Sequence, residues 1–363
     1  MTPVPVGFRL VRDRHTRTAR DMVLGGSPLR LLRLTPAGAS IAHELLAGAP
    51  VCNERDGLVA RRLLEAGLAH PVPPPTDVDL DVIVPARDRL AELDRCLVPL
   101  TGLAVTVVDD GSRDSGDIEN VAHRHGARLV RRDLNGGPAA ARNSGLAATS
   151  ASVVAFVDSD CLVTADALRR LSRHLADPSV AAVAPRVSDP LLDMGAYPAN
   201  VRPGSAVPYV PATTLVVRRT ALDGFDESLR YGEDVDLVWR LVEQGWSVRY
   251  DPEVLVEHFG VNRLARRFAY GTSVGPLSQR HSTALRGPAL AGFTAPLRLP
   301  TLLRSGLPAT TAVRIAATAP ARTVLAFGRW AVPTSAGDVA YALGVWRGCA
   351  QARTVKPLLP RLR

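Results

Sequence analysis

The chain has 363 residues, 46% of them apolar, and a formal charge of +9. That apolar share supports a buried core and excludes a wholly disordered chain, and the length allows one large domain with one or two smaller ones. Four cysteines, Cys52, Cys96, Cys161 and Cys349, stand far apart without paired spacing; this argues against a zinc site or disulfide framework and predicts a reducing, cytoplasmic setting.

Residues 1–70 form a first block. Leu29–Leu34 is dense in leucine, and Thr35-Pro36 reads as a helix start with proline in the first turn. Asn53–Leu68 reads as a second helix with Leu58, Leu63 and Leu64 on its apolar positions. Together with a small β element these predict a winged-helix-like domain. Residues 71–78 are proline-rich and predict a stiff, extended linker.

From 79 to 285, short apolar runs alternate with helical patterns. Strands are expected at Leu80–Val84, Leu103–Val108, Arg128–Val130, Val153–Val157, Val180–Ala184, Thr214–Val217 and Val248–Tyr250. Leu90, Leu93 and Leu97 share one helical face, as do Leu168, Leu171 and Leu175. The alternation predicts a mostly parallel α/β sheet covered on both faces, with ligands beyond the carboxyl ends of its strands.

Residues 286–363 carry ten Arg and one Lys against the single acid Asp338, so the positive charge sits in the tail and residues 1–285 are near neutral. Such a tail suits an anionic membrane surface or an acidic partner, or is merely a solvated extension. Nucleic acid is not expected, because aromatic interleaving and a reader motif are missing. Arg298, Arg304, Arg314, Arg322 and Arg329, with Pro296, Pro300, Pro308 and Pro320, interrupt every apolar run before the ~18 residues a spanning helix needs. No basic-then-apolar signal segment opens the sequence, so the expected location is cytoplasmic, with peripheral contact at the inner membrane face.

The expected strand ends collect acids. Asp81–Asp88 leaves its strand through Pro85, and Val105–Ser112 ends in Asp109, Asp110 and Gly111; each alone also fits an ordinary strand exit. Val153–Asp160 places Asp158 and Asp160 after five apolar residues. On extended backbone the two carboxylates share one side and repel, which calls for a cation. Hard oxygen ligands favour Mg²⁺ or Mn²⁺, either of which neutralises a diphosphate. A helix cap by Asp160 or Thr164 accounts for one acid but not both. His258 follows an apolar run and either completes the metal site or plays a structural part.

Asn135-Gly136-Gly137-Pro138 opens a helix carrying Arg142 and Asn143, either a phosphate cradle or a simple turn. Glu233 opens another helix, on which Asp234 falls within the stripe of Leu237, Val238, Leu241 and Val242. Asp236 and Arg240 fall on the other side and predict a surface ion pair. A carboxylate facing the protein body at a helix start either caps amides or serves as a general base; the company of the other acids favours Asp234 as base.

As a set, Pro85, Asp109-Asp110-Gly111-Ser112, Gly137 to Asn143, Asp158-Ser159-Asp160 and Glu233-Asp234 resemble the family-2 glycosyltransferases over about 180 residues. The resemblance implies a GT-A fold, a Rossmann-like mixed sheet, and inverting transfer from a nucleoside-diphosphate sugar. Carried over by position, Pro85, Arg87 and Asp110, with Asp109, lie at the nucleotide base and ribose. Arg142 and Asn143 fall among the nucleotide-sugar contacts. Asp158 lies at ribose and metal, Asp160 is the direct metal ligand, and Asp234 beside Glu233 is the base. The flanks Gly7-Phe8-Arg9, Leu24–Leu34, Leu68-Ala69-His70-Pro71 and Tyr341–Trp346 with Lys356-Pro357 resemble the mycofactocin-system glycosyltransferases. In that family the enzyme attaches glucose units to a peptide-derived redox cofactor. Residues 1–70 also resemble the small peptide-recognition domains of such pathways, which implies acceptor or partner binding. The competing readings are a cell-envelope polysaccharide or lipid acceptor, a nucleotidyltransferase, which would release pyrophosphate, and a non-catalytic scaffold.

Overall fold

The computed structural model describes residues 1–259, 263–282, 284 and 336–358. The arginine- and proline-broken stretch, including Arg298, Arg304, Arg314, Arg322 and Arg329, lies outside the described residues. The chain divides into two compact units, 1–260 and 261–363.

The first unit opens with β1 (Arg9–Arg12), then an antiparallel meander of β2 (Arg17–Ala19), β3 (Met22–Gly25) and β4 (Arg30–Arg33). Helix α1 (Pro36–Leu46) is capped by Thr35, whose hydroxyl accepts from Gly38 N, with Pro36 at its first position. Helix α2 (Glu54–Glu65) is capped by Asn53, and β5 (Ala69–Val72) returns antiparallel to β1. Leu45, Leu63, Leu64, Leu68 and Phe8 close a core of their own between these elements.

Next come β6 (Leu80–Ala86), α3 (Leu90–Leu97), β7 (Ala104–Asp110), α4 (Ser115–Arg124), β8 (Arg128–Arg132), α5 (Gly137–Ala147) and β9 (Val153–Val157). A short β10 (Cys161–Leu162), α6 (Ala165–Ser172), β11 (Val180–Val187), β12 (Ala199–Val201), β13 (Thr214–Arg218), α7 (Glu233–Glu243) and β14 (Ser247–His258) complete the unit. The sheet runs β10-β14-β11-β13-β9-β6-β7-β8, with β12 on β14.

Strands β8, β7, β6 and β9 are parallel, but β13 is antiparallel to both β9 and β11, and β10 and β12 are antiparallel to β14. The sheet is therefore mixed rather than mostly parallel. Apolar runs report burial on both faces and carry no sign of chain direction, so β13 reads like its parallel neighbours.

Alternation sets the two layers. Val82, Val84 and Val107 face α3, α4 and α6 through Leu93, Leu97, Ile118 and Leu168, while Ile83 and Val108 face α5. Burying each such aliphatic side chain contributes about 1.5–3 kcal/mol. On the α5 side Phe156 meets Phe225 edge to face at 5.1 Å.

The second unit contains α8 (Arg263–Thr272), α9 (Val274–Arg280) and α10 (Ala336–Gln351). Gly271, Gly275, Gly344 and Gly348, two pairs at four-residue spacing, let α10 touch α8 and the start of α9 backbone to backbone; a Cβ at Gly344 would run into Phe268 O. No helix of the described residues is long and apolar enough to cross a membrane.

Candidate active site

The parallel strands β6, β7 and β9 deliver their carboxyl ends to one edge, and the acids expected there are present. Asp109 is fully buried; its carboxylate accepts from Ser112 N at 3.0 Å and from Arg131 at 3.0 Å. Asp110 accepts from Gly136 N at 2.9 Å, Gly137 N at 2.8 Å and Arg132 at 2.9 Å. The anion at the N-terminus of α5 is thus the protein's own carboxylate, and Asp110 ties the β7 exit to the glycine loop. Gly111, at φ 69°, makes the turn between them, where a side chain would crowd Asn135. Pro85 is half-buried near the end of β6 and Arg87 is exposed beside Asp88, 3.8 Å away. Asp88 occupies the left-handed region at φ 58°, its carboxylate accepting from Arg113 N and its own amide donating to Ser112 Oγ.

Asp158 and Asp160 do not sit on extended backbone. Strand β9 ends at Val157, and Cys161 N donates to Asp158 O at 2.9 Å, closing a turn, so the period-two argument for their shared side fails. The cap of α6 is Thr164, whose hydroxyl accepts from Ala167 N; neither acid is spent on capping. The two carboxylates have different cationic partners. Asp158 accepts from Arg142 Nη2 at 2.7 Å. Asp160 accepts from Arg89 at 2.7 Å and faces His258 Nε2 at 3.5 Å.

Strand pairing explains the last approach: Cys161 lies opposite His258 in the β10–β14 ladder. His258 Nδ1 lies 3.2 Å from Asp189 Oδ2, an arrangement that orients the ring and turns Nε2 toward Asp160. Asp160, Cys161 and His258 bring one ligand atom each within 4.8 Å of one another; Asp158 is outside that group. Burial, then the charges of Asp158 and Asp160, push the Cys161 thiol well above its ordinary value. The carboxylate and the oriented imidazole of this group suit a divalent cation. Arg89 and Asp189 are parts of this site that sequence reasoning missed, since neither belongs to a local pattern.

Arg142 is buried inside the site. Its Nη1 donates to Glu233 at 2.9 Å and its Nη2 to Asp158, so both terminal nitrogens are engaged by carboxylates. Asn143 on the same helix donates to Phe225 O and to Glu227 and accepts from Phe225 N, pinning the loop before α7. Gly232, at φ 81°, starts α7. Asp234 is half-buried and accepts from Ala212 N at 3.3 Å and Val235 N at 2.8 Å. Burial raises its pKa against the pull of Arg142. Glu233 is pushed up to about 7 by burial and by the charge of Asp234, with Arg142 opposing. Asp236 and Arg240 do pair, at 2.7 Å, but not at the surface: Asp236 is buried, because the loop bearing Gly224 covers that side of α7 and accepts from Arg240. A cleft of 490 Å³ opens nearby against β10, lined by residues such as Val98, Leu162, Leu255 and Glu257 and by none of these site acids.

Residues 81–211 match the family described as glycosyl transferase family 2. The pre-mycofactocin glycosyltransferases of Mycobacterium tuberculosis strains CDC 1551 / Oshkosh and ATCC 25618 / H37Rv are each 40% identical to the chain in an alignment of 307 residues that covers 77% of this chain and 65% of the relative. The chain thus spans 65% of the length of the curated relatives it matches. Among solved structures, a mannosyltransferase from Pyrobaculum calidifontis in complex with GDP-Man and Mn²⁺ superposes with a TM-score of 0.51 at 22% identity, covering 79% of this chain and 89% of that one. That likeness bears on the fold. Taken with the strand-end acids and the mixed sheet, these matches show that residues 81–211 carry a family-2 glycosyltransferase domain on a GT-A fold, in a chain similar to the pre-mycofactocin glycosyltransferases.

Proposed function

We propose that the chain transfers a hexose, glucose from UDP-glucose, onto a hydroxyl of a peptide-derived redox cofactor of the mycofactocin type, with inversion at the anomeric carbon. The observation that carries this reading is the convergence of two sets at one sheet edge. Asp160 lies with His258, and Arg142 joins Asp158 to the Glu233–Asp234 pair. The name of the 40% identical relatives supports the acceptor class.

Pro85, Arg87, Asp109 and Asp110 border the end where base and ribose bind, with Asp158 deeper at the ribose. Asp160 and His258 would hold Mg²⁺ or Mn²⁺, which would supply positive charge to the leaving diphosphate. Asp234 takes the acceptor proton as the acceptor oxygen bonds to the anomeric carbon and the bond to the diphosphate breaks. Burial raises the pKa of Asp234 and so makes its carboxylate a better proton acceptor. Glu233, held by Arg142, fixes the start of α7. The transition state is oxocarbenium-like. Residues 1–70 take part in acceptor or partner binding, and the basic tail suits peripheral contact with an anionic membrane, which salt-sensitive liposome sedimentation would test.

The test is UDP release from UDP-glucose with and without Mn²⁺, run beside calorimetric binding of UDP-glucose. Asp160→Ala should abolish metal-dependent binding. Asp234→Asn should keep binding and lower turnover by about 10²–10⁴-fold. Failure of the wild-type protein to bind any nucleotide sugar with either metal would overturn the reading.

A further inference from the structure

Arg249 has no part in the chemistry above, and its surroundings do not account for it. It sits in β14, with Val183 of β11 and Asn200 of β12 as its ladder neighbours, and is 2% exposed. None of its three guanidinium nitrogens meets a hydrogen-bond partner among the described residues, and all three are shut off from solvent. Buried guanidinium groups are normally paired with carboxylates or satisfied by several acceptors.

The charges nearby show what is missing. Arg61 of α2 donates from Nη2 to Asp177 at 2.6 Å and from Nε to Thr2 O at 2.9 Å, leaving its Nη1 without a partner among the described residues. Asp177 Oδ2 lacks a partner too, but one buried carboxylate cannot balance Arg61 and Arg249 together. Of the other charges that act on Arg249, half-buried Arg202 and exposed Glu65 are of opposite sign. Burial, followed by the competing charges of Asp177, Arg61 and Arg202, pushes the Arg249 pKa down to about 10; the guanidinium still keeps its proton at neutral pH. One positive charge is left over in a closed place. Water would satisfy the N–H groups but would leave that charge uncompensated.

We propose that this seam between residues 1–72 and the α/β sheet binds one monovalent inorganic anion of halide size, held by Arg249 and by Nη1 of Arg61. Enclosure of the nitrogens favours a monoatomic ion over phosphate or an organic carboxylate, and the charge count favours a single negative charge. Half-buried Arg202 also feels the charge of exposed Arg30, so the region is positive out to the surface. The anion would complete the contact that ties α2 to the sheet.

The experiment is thermal unfolding of the full chain in sodium chloride, bromide and gluconate at matched ionic strength, with bromide anomalous diffraction from crystals of the same protein. Chloride and bromide should each raise the melting temperature saturably, by about 2–4 °C between roughly 1 and 100 mM, where gluconate does not. Arg249→Met should abolish that difference, and a bromide peak should lie within hydrogen-bond reach of Arg249. Identical melting in the three salts, a halide effect that survives in Arg249→Met, or water alone at the site would overturn the proposal. If Arg249→Met does not fold, the position of the wild-type bromide peak decides.

Discussion

Arg142 is one guanidinium serving several acids. It bonds Asp158 and Glu233 and also feels the charge of Asp234. Burial works against its charge, but Asp158 and Glu233 outweigh burial and raise its pKa. Arg142→Met leaves these carboxylates facing one another without a cation, a loss of about 3–5 kcal/mol. Adding Asp158→Asn should restore part of that loss, because the two residues share one bond; urea unfolding of the two singles and the double measures the coupling. The Glu233–Asp234 pair makes a separate prediction. Both carboxyls have raised pKa values in the folded protein, Glu233 to about 7, so the folded state binds more protons than the unfolded state from about pH 4.5 to 7. Stability from this pair is present below the unfolded pKa and falls as pH rises through the folded one. Glu233→Gln should flatten that decline, so that the variant's unfolding midpoint gains on the wild type as pH rises past 7. Parallel pH profiles of the unfolding midpoint for the two proteins would refute the assignment.

Helix α5 is the element that sets the site, because it carries Arg142 and Asn143 and presents Gly136 and Gly137 to Asp110. It can lie close to the sheet because Gly145 faces Ile83 and Val108; an added Cβ would run into Ile83 Cγ2 and come within 3.0 Å of Val108 Cγ2. Gly145→Ala gains about 1 kcal/mol of helix propensity, yet the clash with two β-branched side chains costs about 1–3 kcal/mol. The expected sign is a net loss of thermal stability. A net gain would mean that α5 lifts off the sheet freely. Thr164→Ala, at the N-cap of α6, should cost about 1 kcal/mol and leave nucleotide-sugar binding alone. Such elements are legible in sequence where the signal is local. Thr35-Pro36 and Asn53 announce α1 and α2, and Val153–Val157 is an apolar run of strand length that forms β9 unchanged. The sequence pattern stops short on β14, expected at Val248–Tyr250 but extending to His258, since Asp251, Pro252 and Glu253 look like a strand exit. The turn at Asp158–Cys161 and the burial of Asp236 were equally hidden. Both depend on what packs from elsewhere in the chain, as do the approach of Arg89 to Asp160 and of Asp189 to His258.

At the scale of the whole first unit, residues 1–72 are built onto the α/β sheet rather than hung from it by the proline-rich stretch. Arg61 and Asp177 form an ion pair at 2.6 Å with both side chains 1% exposed, Ser27 Oγ accepts from Ala206 N at 2.7 Å, and Arg14 stacks over Tyr197. Burial works against the charge of Asp177, but the bonds from Arg61 and Ser179 prevail and hold its carboxyl below the usual range. Its contribution is therefore complete above the unfolded pKa of about 3.9 and is lost as pH falls through the lower folded value. Asp177→Asn removes the negative partner of Arg61 and leaves a buried guanidinium uncompensated, which costs about 3–5 kcal/mol at neutral pH. That cost should fall on the seam before it reaches the sheet centre. Strands β6, β7 and β9 keep a core that Asp177 does not touch, whereas α2 loses a buried ionic tie to the sheet. Hydrogen exchange in Asp177→Asn should accordingly show amides of α2 and β5 exchanging faster than in the wild type, with β6 and β9 retaining protection. Equal loss of protection everywhere would mean that the first 72 residues and the sheet unfold as one cooperative body. Unchanged exchange in α2 would mean that the apolar contacts around Leu63 and Leu64 hold the block in place without the ion pair.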